Sequence, residues 1–117
     1  MNRRKVGKEM EEKAVRYLKE QGYKILAQNY WTRFAELDII ATDGVYLCFI
    51  EIKYRKNSKY EAPAGVITIQ KMKRMGKAAQ FYLKEKRILP DTPMRFDVLF
   101  ILGEEITWVK NAFDYVQ

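Results

Sequence analysis

The sequence predicts an α/β fold in which a central five-stranded sheet is flanked by helices around an αβββαβ core. Two observations support this class: apolar residues recur at helical spacing in two stretches, and apolar runs of strand length occupy much of the remaining chain. A chain of 117 residues can bury one hydrophobic core but not two. We therefore expect a single domain over residues 1–117.

The first helix is expected over residues 4–21, with Gly22 as its stop. Its expected buried stripe consists of Val6, Met10, Ala14, and Tyr17 or Leu18. The second helix is expected over residues 69–87, with Thr68 as its N-cap. Its expected inward residues are Ile69, Met72, Met75, Ala79, and Tyr82 or Leu83. Its expected outward residues are Lys73, Arg74, Lys77 and Lys84.

The strands are expected at Lys24–Trp31, on both sides of Asp43-Gly44, at Arg95–Leu102 and at Ile106–Lys110. The Asp-Gly dipeptide predicts a two-residue hairpin turn, because both central residues of a type I′ turn adopt positive φ. Such a turn pairs Thr42 with Val45. It also places Glu36 opposite Glu51, and Asp38 opposite Phe49.

The expected pairing gathers charged side chains on one face of the sheet, because opposed residues share a face and side chains alternate along a strand. These side chains are Glu36, Asp38, Glu51 and Lys53. Asp38 and Glu51 become diagonal neighbours, with Cβ atoms about 7 Å apart. Neighbouring carboxylates repel unless a proton or cation is present, and Mg²⁺ prefers oxygen ligands. The alternative is a solvated sheet face with scattered charges, which is common in antiparallel hairpins.

These residues carry a resemblance to known proteins. Asp38, followed thirteen residues later by Glu51-Ile52-Lys53, resembles the D…(D/E)XK signature of the restriction-endonuclease-like PD-(D/E)XK nuclease superfamily. The whole chain resembles the YraN-like uncharacterised family, small bacterial proteins assigned to that fold and similar to Holliday-junction resolvases. The flanking segments that match are Gly22-Tyr23, Ile25-Leu26, Asn29, Arg33, Arg55, Lys71, Arg74, Arg95–Val98 and Asn111–Phe113.

The resemblance implies a mixed sheet and metal-dependent hydrolysis of phosphodiester bonds in DNA, branched DNA included. Asp38 and Glu51 are then expected to hold Mg²⁺ or Mn²⁺, with a strand carbonyl near Ile52. Lys53 is expected to orient the attacking water or stabilise developing charge. Two more acids have expected roles by resemblance: Glu36 as a further or outer ligand, and Glu11 near the metal or the water. For Glu11 the alternative is a surface carboxylate that pairs with Arg16 or Lys8.

Positive charge is concentrated in one segment. Residues 53–87 contain eleven Lys or Arg and two acids, a net charge of +9, whereas the whole chain has a net charge of +7. A concentrated basic surface is typical of proteins that bind a polyanion, although a solvated lysine-rich helix is the alternative. The residues expected to contact nucleic acid are Arg33, Arg55, Lys56, Gln70, Lys71, Lys73 and Arg74. The polar stretch Lys56–Gly65 is expected either to hold the nucleic-acid backbone or to admit the substrate.

Several residue types are absent or rare, which excludes other chemistries. The chain has no histidine and a single cysteine, Cys48, so zinc sites of Cys and His and Ser-His-Asp catalysis are excluded. Cys48 is expected to be a core residue. No apolar run approaches the roughly 20 residues that span a bilayer, and no secretory signal is visible, so a cytoplasmic location without membrane contact is expected.

Two functions of other classes compete with the nuclease prediction. The first is a nucleic-acid-binding module that keeps the nuclease fold without turnover. The second is a protein-interaction domain whose basic face meets an acidic partner. A homodimer is a further expectation, because junction-cutting relatives act as dimers.

Overall fold

The apolar pattern of the sequence folds into two helices and five strands in a computed structural model that describes residues 3–55 and 67–115, with side chains from residue 7 onward. The elements in chain order are α1 (Arg3–Glu20), β1 (Lys24–Trp31), β2 (Glu36–Thr42), β3 (Leu47–Arg55), α2 (Ile69–Glu85), β4 (Met94–Leu102) and β5 (Glu105–Phe113). Strand β1 has the predicted limits, and both helices end within two residues of the prediction.

The five strands form one mixed sheet in the order β1-β2-β3-β4-β5. Strands β1, β2 and β3 pair antiparallel, β3 and β4 pair parallel, and β4 and β5 pair antiparallel. A parallel pair needs a crossover, and α2 lies in the connection between β3 and β4. This α/β arrangement is consistent with the predicted restriction-endonuclease-like core.

Each face of the sheet is covered by one helix. One core includes Met75, Ala79 and Tyr82 of α2 with Phe49 and Phe96 of the sheet. The opposite core joins buried residues of α1 to the other face, and its members include Ala14, Leu18, Ile39, Cys48, Ile50 and Leu99. Cys48 is fully buried there, which confirms the predicted core position. Because a helix covers each face of the sheet, charged side chains on its central strands are not freely exposed to solvent.

The expected inward positions of the helices are confirmed with one exception. Thr68 caps α2, and its Oγ1 accepts a hydrogen bond from the Lys71 N–H at 3.1 Å. Ile69 was expected to face inward, but it is 67% exposed, and the buried stripe of α2 begins one turn later. The helix therefore starts beyond the region where it packs on the sheet. The side chain of Val6 lies outside the described residues.

The predicted two-residue hairpin turn is wrong in length. Thr42 pairs with Leu47 rather than with Val45, so the loop has four residues. Its acidic first residue stabilises it: Asp43 Oδ1 accepts hydrogen bonds from the N–H groups of Val45 and Tyr46 at 2.9 and 2.8 Å. These bonds favour a longer loop than the dipeptide alone predicts.

The longer loop moves the register of β2 against β3 by two residues. Phe49 lies opposite Ile40 rather than Asp38. The same register places Asp38, and not Glu36, opposite Glu51. Because the side-chain period of a strand is two, an even shift leaves each residue on its expected face. In the observed register Asp38 and Glu51, the two predicted metal ligands, are directly opposed, whereas the predicted register made them diagonal neighbours.

Asp97 lies in the interior of the sheet and forms an ion pair with Arg95. Strand β4 lies between β3 and β5, and Asp97 is fully buried. Its carboxylate accepts hydrogen bonds from Arg95 Nε at 3.0 and 3.1 Å, from Arg95 Nη2 at 3.0 Å, from Trp108 Nε1 at 2.9 Å and from the Asn111 N–H at 2.8 Å. Four donors satisfy this buried charge, which is the pattern of a structural carboxylate.

In the part of the chain that the structure describes, neither helix is long and apolar enough to cross a bilayer.

Candidate active site

Regular pairing between β2 and β3 ends at the acidic residues. The last paired positions are Ile39 and Ile50, and the next opposed positions are Asp38 and Glu51. Beyond this point a side chain replaces the backbone as hydrogen-bond acceptor. Asp38 Oδ2 accepts a hydrogen bond from the Ile52 N–H at 2.9 Å. A carboxylate of β2 thereby satisfies a backbone donor of β3, which fixes the position of Asp38 beside Glu51.

Asp38 and Glu51 interact strongly. The pKa of Asp38 is raised from its ordinary value to about 8, first by burial, then by the charge of Glu51 and a side-chain hydrogen bond with it. The charge of Glu36 raises this pKa further, and the hydrogen bond from Ile52 opposes the shift. Without a cation, burial and the neighbouring negative charge therefore favour the protonated form of Asp38. A proton is the smallest ion that can relieve the repulsion between these two carboxylates.

Glu51 has a carboxylate oxygen that lacks a hydrogen-bond donor. The residue is 7% exposed, and its Oε2 accepts no hydrogen bond within the described structure. Lys71 Nζ lies 3.4 Å from this oxygen, which is an ion-pair distance but too long for a well-formed hydrogen bond. A buried oxygen without a donor costs free energy, so Glu51 differs from the fully bonded Asp97.

The remaining members of the predicted acid-lysine set lie around this pair. Lys53 is half-buried and follows Glu51 by two residues on β3, so both project to the same face. Glu36 is exposed and acts on Asp38 through its charge. Glu11 is placed elsewhere: its Oε2 accepts a hydrogen bond from Asn29 Nδ2 at 2.9 Å. No described contact joins Glu11 to the acidic pair.

The predicted nucleic-acid contacts divide between α2 and the strands. Lys71 lies at the acidic pair, whereas three further residues on the first turns of α2 are exposed: Gln70, Lys73 and Arg74. Arg55, at the end of β3, is half-buried, and its Nη1 donates to the Tyr54 carbonyl at 2.8 Å. Lys56 and the rest of the stretch Lys56–Gly65 lie outside the described residues.

Arg33 is exposed on the β1–β2 connection and lies over an aromatic ring. Its Cζ is 4.9 Å from the ring centroid of Phe34, and Lys77 Nζ is 5.7 Å from the same centroid. Arg33 as a contact residue and the outward position of Lys77 were predicted from the sequence, but the role of Phe34 was not. A signal was present, because Phe34 directly follows Arg33 in a polar connection.

The donor set fits a hard divalent cation with few protein ligands. In residues 3–55 and 67–115, no three acidic or thiol side chains are grouped closely enough to surround one ion. Mg²⁺ is commonly bound through one or two carboxylates and retains several waters. Asp38 and Glu51 supply two carboxylates, and the unbonded Oε2 of Glu51 is an available ligand atom.

Comparison with known proteins identifies the family. The sequence pattern of the family described as "Uncharacterised protein family UPF0102" matches residues 10–101. The chain belongs to the UPF0102 family. A UPF0102 protein of Lachnoclostridium phytofermentans is 48% identical over 114 residues, which are 97% of this chain and 97% of the relative. UPF0102 proteins of Legionella pneumophila and Fusobacterium nucleatum are 43% and 40% identical, over 92% and 95% of this chain and 93% and 92% of theirs.

Membership of UPF0102 confirms the resemblance to the YraN-like family that the sequence suggested. The matched segment contains β2, β3, α2 and nearly all of β4, and therefore the whole acidic pair with Lys53 and Lys71. The names of the UPF0102 relatives state the family and no reaction. The reaction has to be argued from the chemistry of Asp38 and Glu51.

Proposed function

We propose that this UPF0102 protein is a nuclease that hydrolyses phosphodiester bonds, with DNA as the expected substrate and Mg²⁺ or Mn²⁺ as the cofactor. The observation that supports it most is the buried Oε2 of Glu51, which has no hydrogen-bond donor, beside the carboxylate of Asp38 that the Ile52 N–H holds in place. A binding protein would gain nothing from two acids turned toward phosphates, because they repel the ligand. A hydrolase that uses a divalent cation needs such a pair.

The acidic pair would hold the cation. Asp38 is already fixed by the Ile52 N–H, and Glu51 is held by the pairing of β3 with β4 on its other side. Binding of a dication requires the loss of the proton on Asp38, since metal ligands are deprotonated. The chemistry that Mg²⁺ or Mn²⁺ supplies when bound is polarisation of a phosphate oxygen and a lowered pKa of a coordinated water.

Lys53 and Lys71 bring two ammonium groups to this pair. Lys53 shares the face of Glu51 and would orient the attacking water or stabilise the charge that develops on the phosphate. Lys71 lies 3.4 Å from Glu51 and would contact the phosphate once the carboxylate is occupied by the dication. Exposed Lys73 and Arg74 would hold the backbone of the substrate without reading its sequence.

The proposal is tested with a panel of branched, duplex and single-stranded DNA and RNA, incubated with Mg²⁺, Mn²⁺ or EDTA. We expect metal-dependent cleavage of at least one substrate by the wild type and its loss in Glu51→Ala. Glu12→Ala is the matched control, because Glu12 is an exposed acid on α1. No cleavage of any substrate, or cleavage that Glu51→Ala leaves intact, would contradict the proposal.

One observation favours a second candidate, a nucleic-acid-binding module of the same fold without turnover. Lys71 already partly neutralises Glu51, so the pair does not strictly need a metal to be tolerated. This candidate predicts salt-sensitive binding of nucleic acid with no cleavage and no heat of Mn²⁺ binding. A basic protein-interaction domain would bind no nucleic acid even at low salt.

A further inference from the structure

A cavity of about 460 Å³ lies between the β1–β2 connection, the outer side of α2 and the segment after β5. Its lining is of two kinds. The cations are Arg33, Lys77 and Lys84, and the aromatic rings are Phe34, Phe81 and Tyr115. Phe81 is 47% exposed and Tyr115 is 38% exposed, so ring surface is available to a ligand.

The cations of this cavity are not neutralised by nearby acids. No carboxylate is among the described residues that line it, and none of the three cations forms an ion pair with a residue of the described ranges. Two of them already lie within 6 Å of the Phe34 centroid, at 4.9 and 5.7 Å. The surface therefore combines uncompensated positive charge with exposed rings.

This combination fits an unpaired nucleotide better than a duplex. A duplex presents its phosphates to the cations, but its bases are stacked on one another inside the helix. The exposed aromatic side chains of the protein would then have no base to stack on. A single strand presents both, and base stacking on aromatic side chains is tolerant of sequence. An acidic peptide would satisfy the cations but carries no planar group on every residue.

We propose that the cavity binds an unpaired nucleotide of a single-stranded nucleic acid, with the base on Phe81 and Tyr115 and the phosphates at Arg33, Lys77 and Lys84. The strand would then run along α2 toward the acidic pair. Lys77 and Lys84 follow Lys71 by six and thirteen residues, so they lie about 9 and 20 Å from it along the helix axis. The inference rests on the proposed function only in taking nucleic acid as the ligand, and it is independent of hydrolysis.

The test measures binding of the full chain in EDTA, where cleavage is absent. The probes are fluorescein-labelled oligo(dT), oligo(U) and a DNA duplex of equal length, each titrated at several salt concentrations. We expect Phe81→Ala to weaken oligo(dT) or oligo(U) binding about fivefold or more while leaving duplex binding unchanged. The probe that is more affected identifies the strand as DNA or RNA.

Lys77→Gln separates the charge contribution from stacking. It should weaken single-strand binding and reduce the slope of log affinity against log salt by about 0.7, whereas Phe81→Ala should leave the slope unchanged. The controls are Leu89→Ala for an exposed apolar residue and Lys19→Gln for an exposed lysine, both outside the cavity. Leu89→Ala should weaken binding less than Phe81→Ala, and Lys19→Gln should weaken it less than Lys77→Gln.

Four outcomes would overturn the inference. Equal effects of Phe81→Ala and Leu89→Ala on single-strand binding would remove the stacking role. Equal losses on duplex and single strand would indicate a backbone contact only. Displacement of the oligonucleotide by polyglutamate of the same charge, with the same sensitivity to Phe81→Ala, would indicate an acidic protein partner. If the wild type binds no nucleic acid at all, the proposed function fails as well.

Discussion

The ammonium of Lys71 lies 3.4 Å from Oε2 of Glu51, although the two residues are separated by the β3–α2 connection. The side chain of Glu51 is 9% exposed and that of Lys71 is 34% exposed, so a partly exposed cation meets a buried acid. In the protein without a divalent ion, this lysine and the proton on Asp38 together limit the repulsion of the acidic pair. A dication would replace both.

Lys71→Gln should therefore strengthen Mn²⁺ binding, because it removes a positive charge that competes for Glu51. We expect a gain of roughly threefold to tenfold, reduced by the partial exposure of the lysine. Lys73→Gln is the matched control, since Lys73 is exposed on the same helix and has no described contact with Glu51. Calorimetric titration measures the affinities, and identical values for both variants would contradict the competition.

The stability of the protein should respond very differently to neutralisation of its two buried carboxylates, Asp97 and Glu51. Asp97→Asn breaks a satisfied ion pair with Arg95 and should lower the free energy of unfolding by about 3–5 kcal/mol. Glu51→Gln removes a charge whose Oε2 has no donor and should cost less than about 1 kcal/mol, or stabilise the protein. Denaturant unfolding in EDTA measures both. A large loss in Glu51→Gln would indicate that Glu51 is structural.

The stability of the metal-free protein should depend on pH through Asp38. The folded protein holds a proton on Asp38 up to a pKa of about 8, whereas the unfolded chain releases it near its ordinary pKa. The folded state thus binds more protons between about pH 4 and pH 8, and the free energy of unfolding decreases as the pH rises through this range. The slope is at most about 1.4 kcal/mol per pH unit.

Asp38→Asn isolates this contribution from other titrating groups. The difference in unfolding free energy between wild type and variant should change steadily from pH 4 to pH 8 and become constant above about pH 8. Urea unfolding in EDTA at several pH values measures it. A difference that is independent of pH would show that Asp38 is ionised like an exposed carboxylate.

Lys53→Met should separate chemistry from metal binding. Removal of one group that stabilises transition-state charge typically lowers kcat about 100-fold or more. Mn²⁺ affinity should stay the same or rise slightly, because Lys53 supplies no ligand atom to the cation. Lys24→Met, an exposed lysine on β1, is the control. A Lys53 variant with wild-type cleavage rates would remove this residue from the reaction.

Much of the fold was predictable because its signals are local. The period of apolar residues marks α1 and α2, and Thr68 marks the start of α2 because its Oγ1 accepts a hydrogen bond from an N–H in the first turn of that helix. The limits of β1 agree with the prediction for the same reason. Ile69 was expected to face inward but is exposed, because helical period alone does not reveal where the sheet beneath a helix ends.

The predicted length of the β2–β3 turn was wrong, yet the predicted placement of Asp38 and Glu51 on one face did not depend on it. The turn residues predicted a two-residue loop, but Asp43 Oδ1 accepts hydrogen bonds from the two N–H groups that follow Gly44, and these bonds favour a loop of four residues. The resulting shift by two preserves the alternation of side chains, so Asp38 and Glu51 still meet. An odd shift would have placed them on opposite faces.

Other contacts were beyond sequence reasoning because they join distant parts of the chain. Nothing near Glu51 in the sequence indicates that Lys71 would reach it, since that contact depends on how α2 packs on the sheet. Glu11 was expected near the metal or paired with Arg16 or Lys8, yet its partner is Asn29, which has a φ of 51° on β1. Such backbone irregularities redirect side chains in ways that alternation does not predict.

The central claim is that Asp38 and Glu51 together form a divalent-cation site, and calorimetric titration of Mn²⁺ tests it most directly. The wild type is compared with Asp38→Asn, Glu51→Gln and the exposed-acid control Glu12→Gln. We predict a single binding event in the wild type and in Glu12→Gln, and affinities about tenfold or more weaker in the two pair variants. Equal heats from all four proteins, or no binding by the wild type, would contradict the claim.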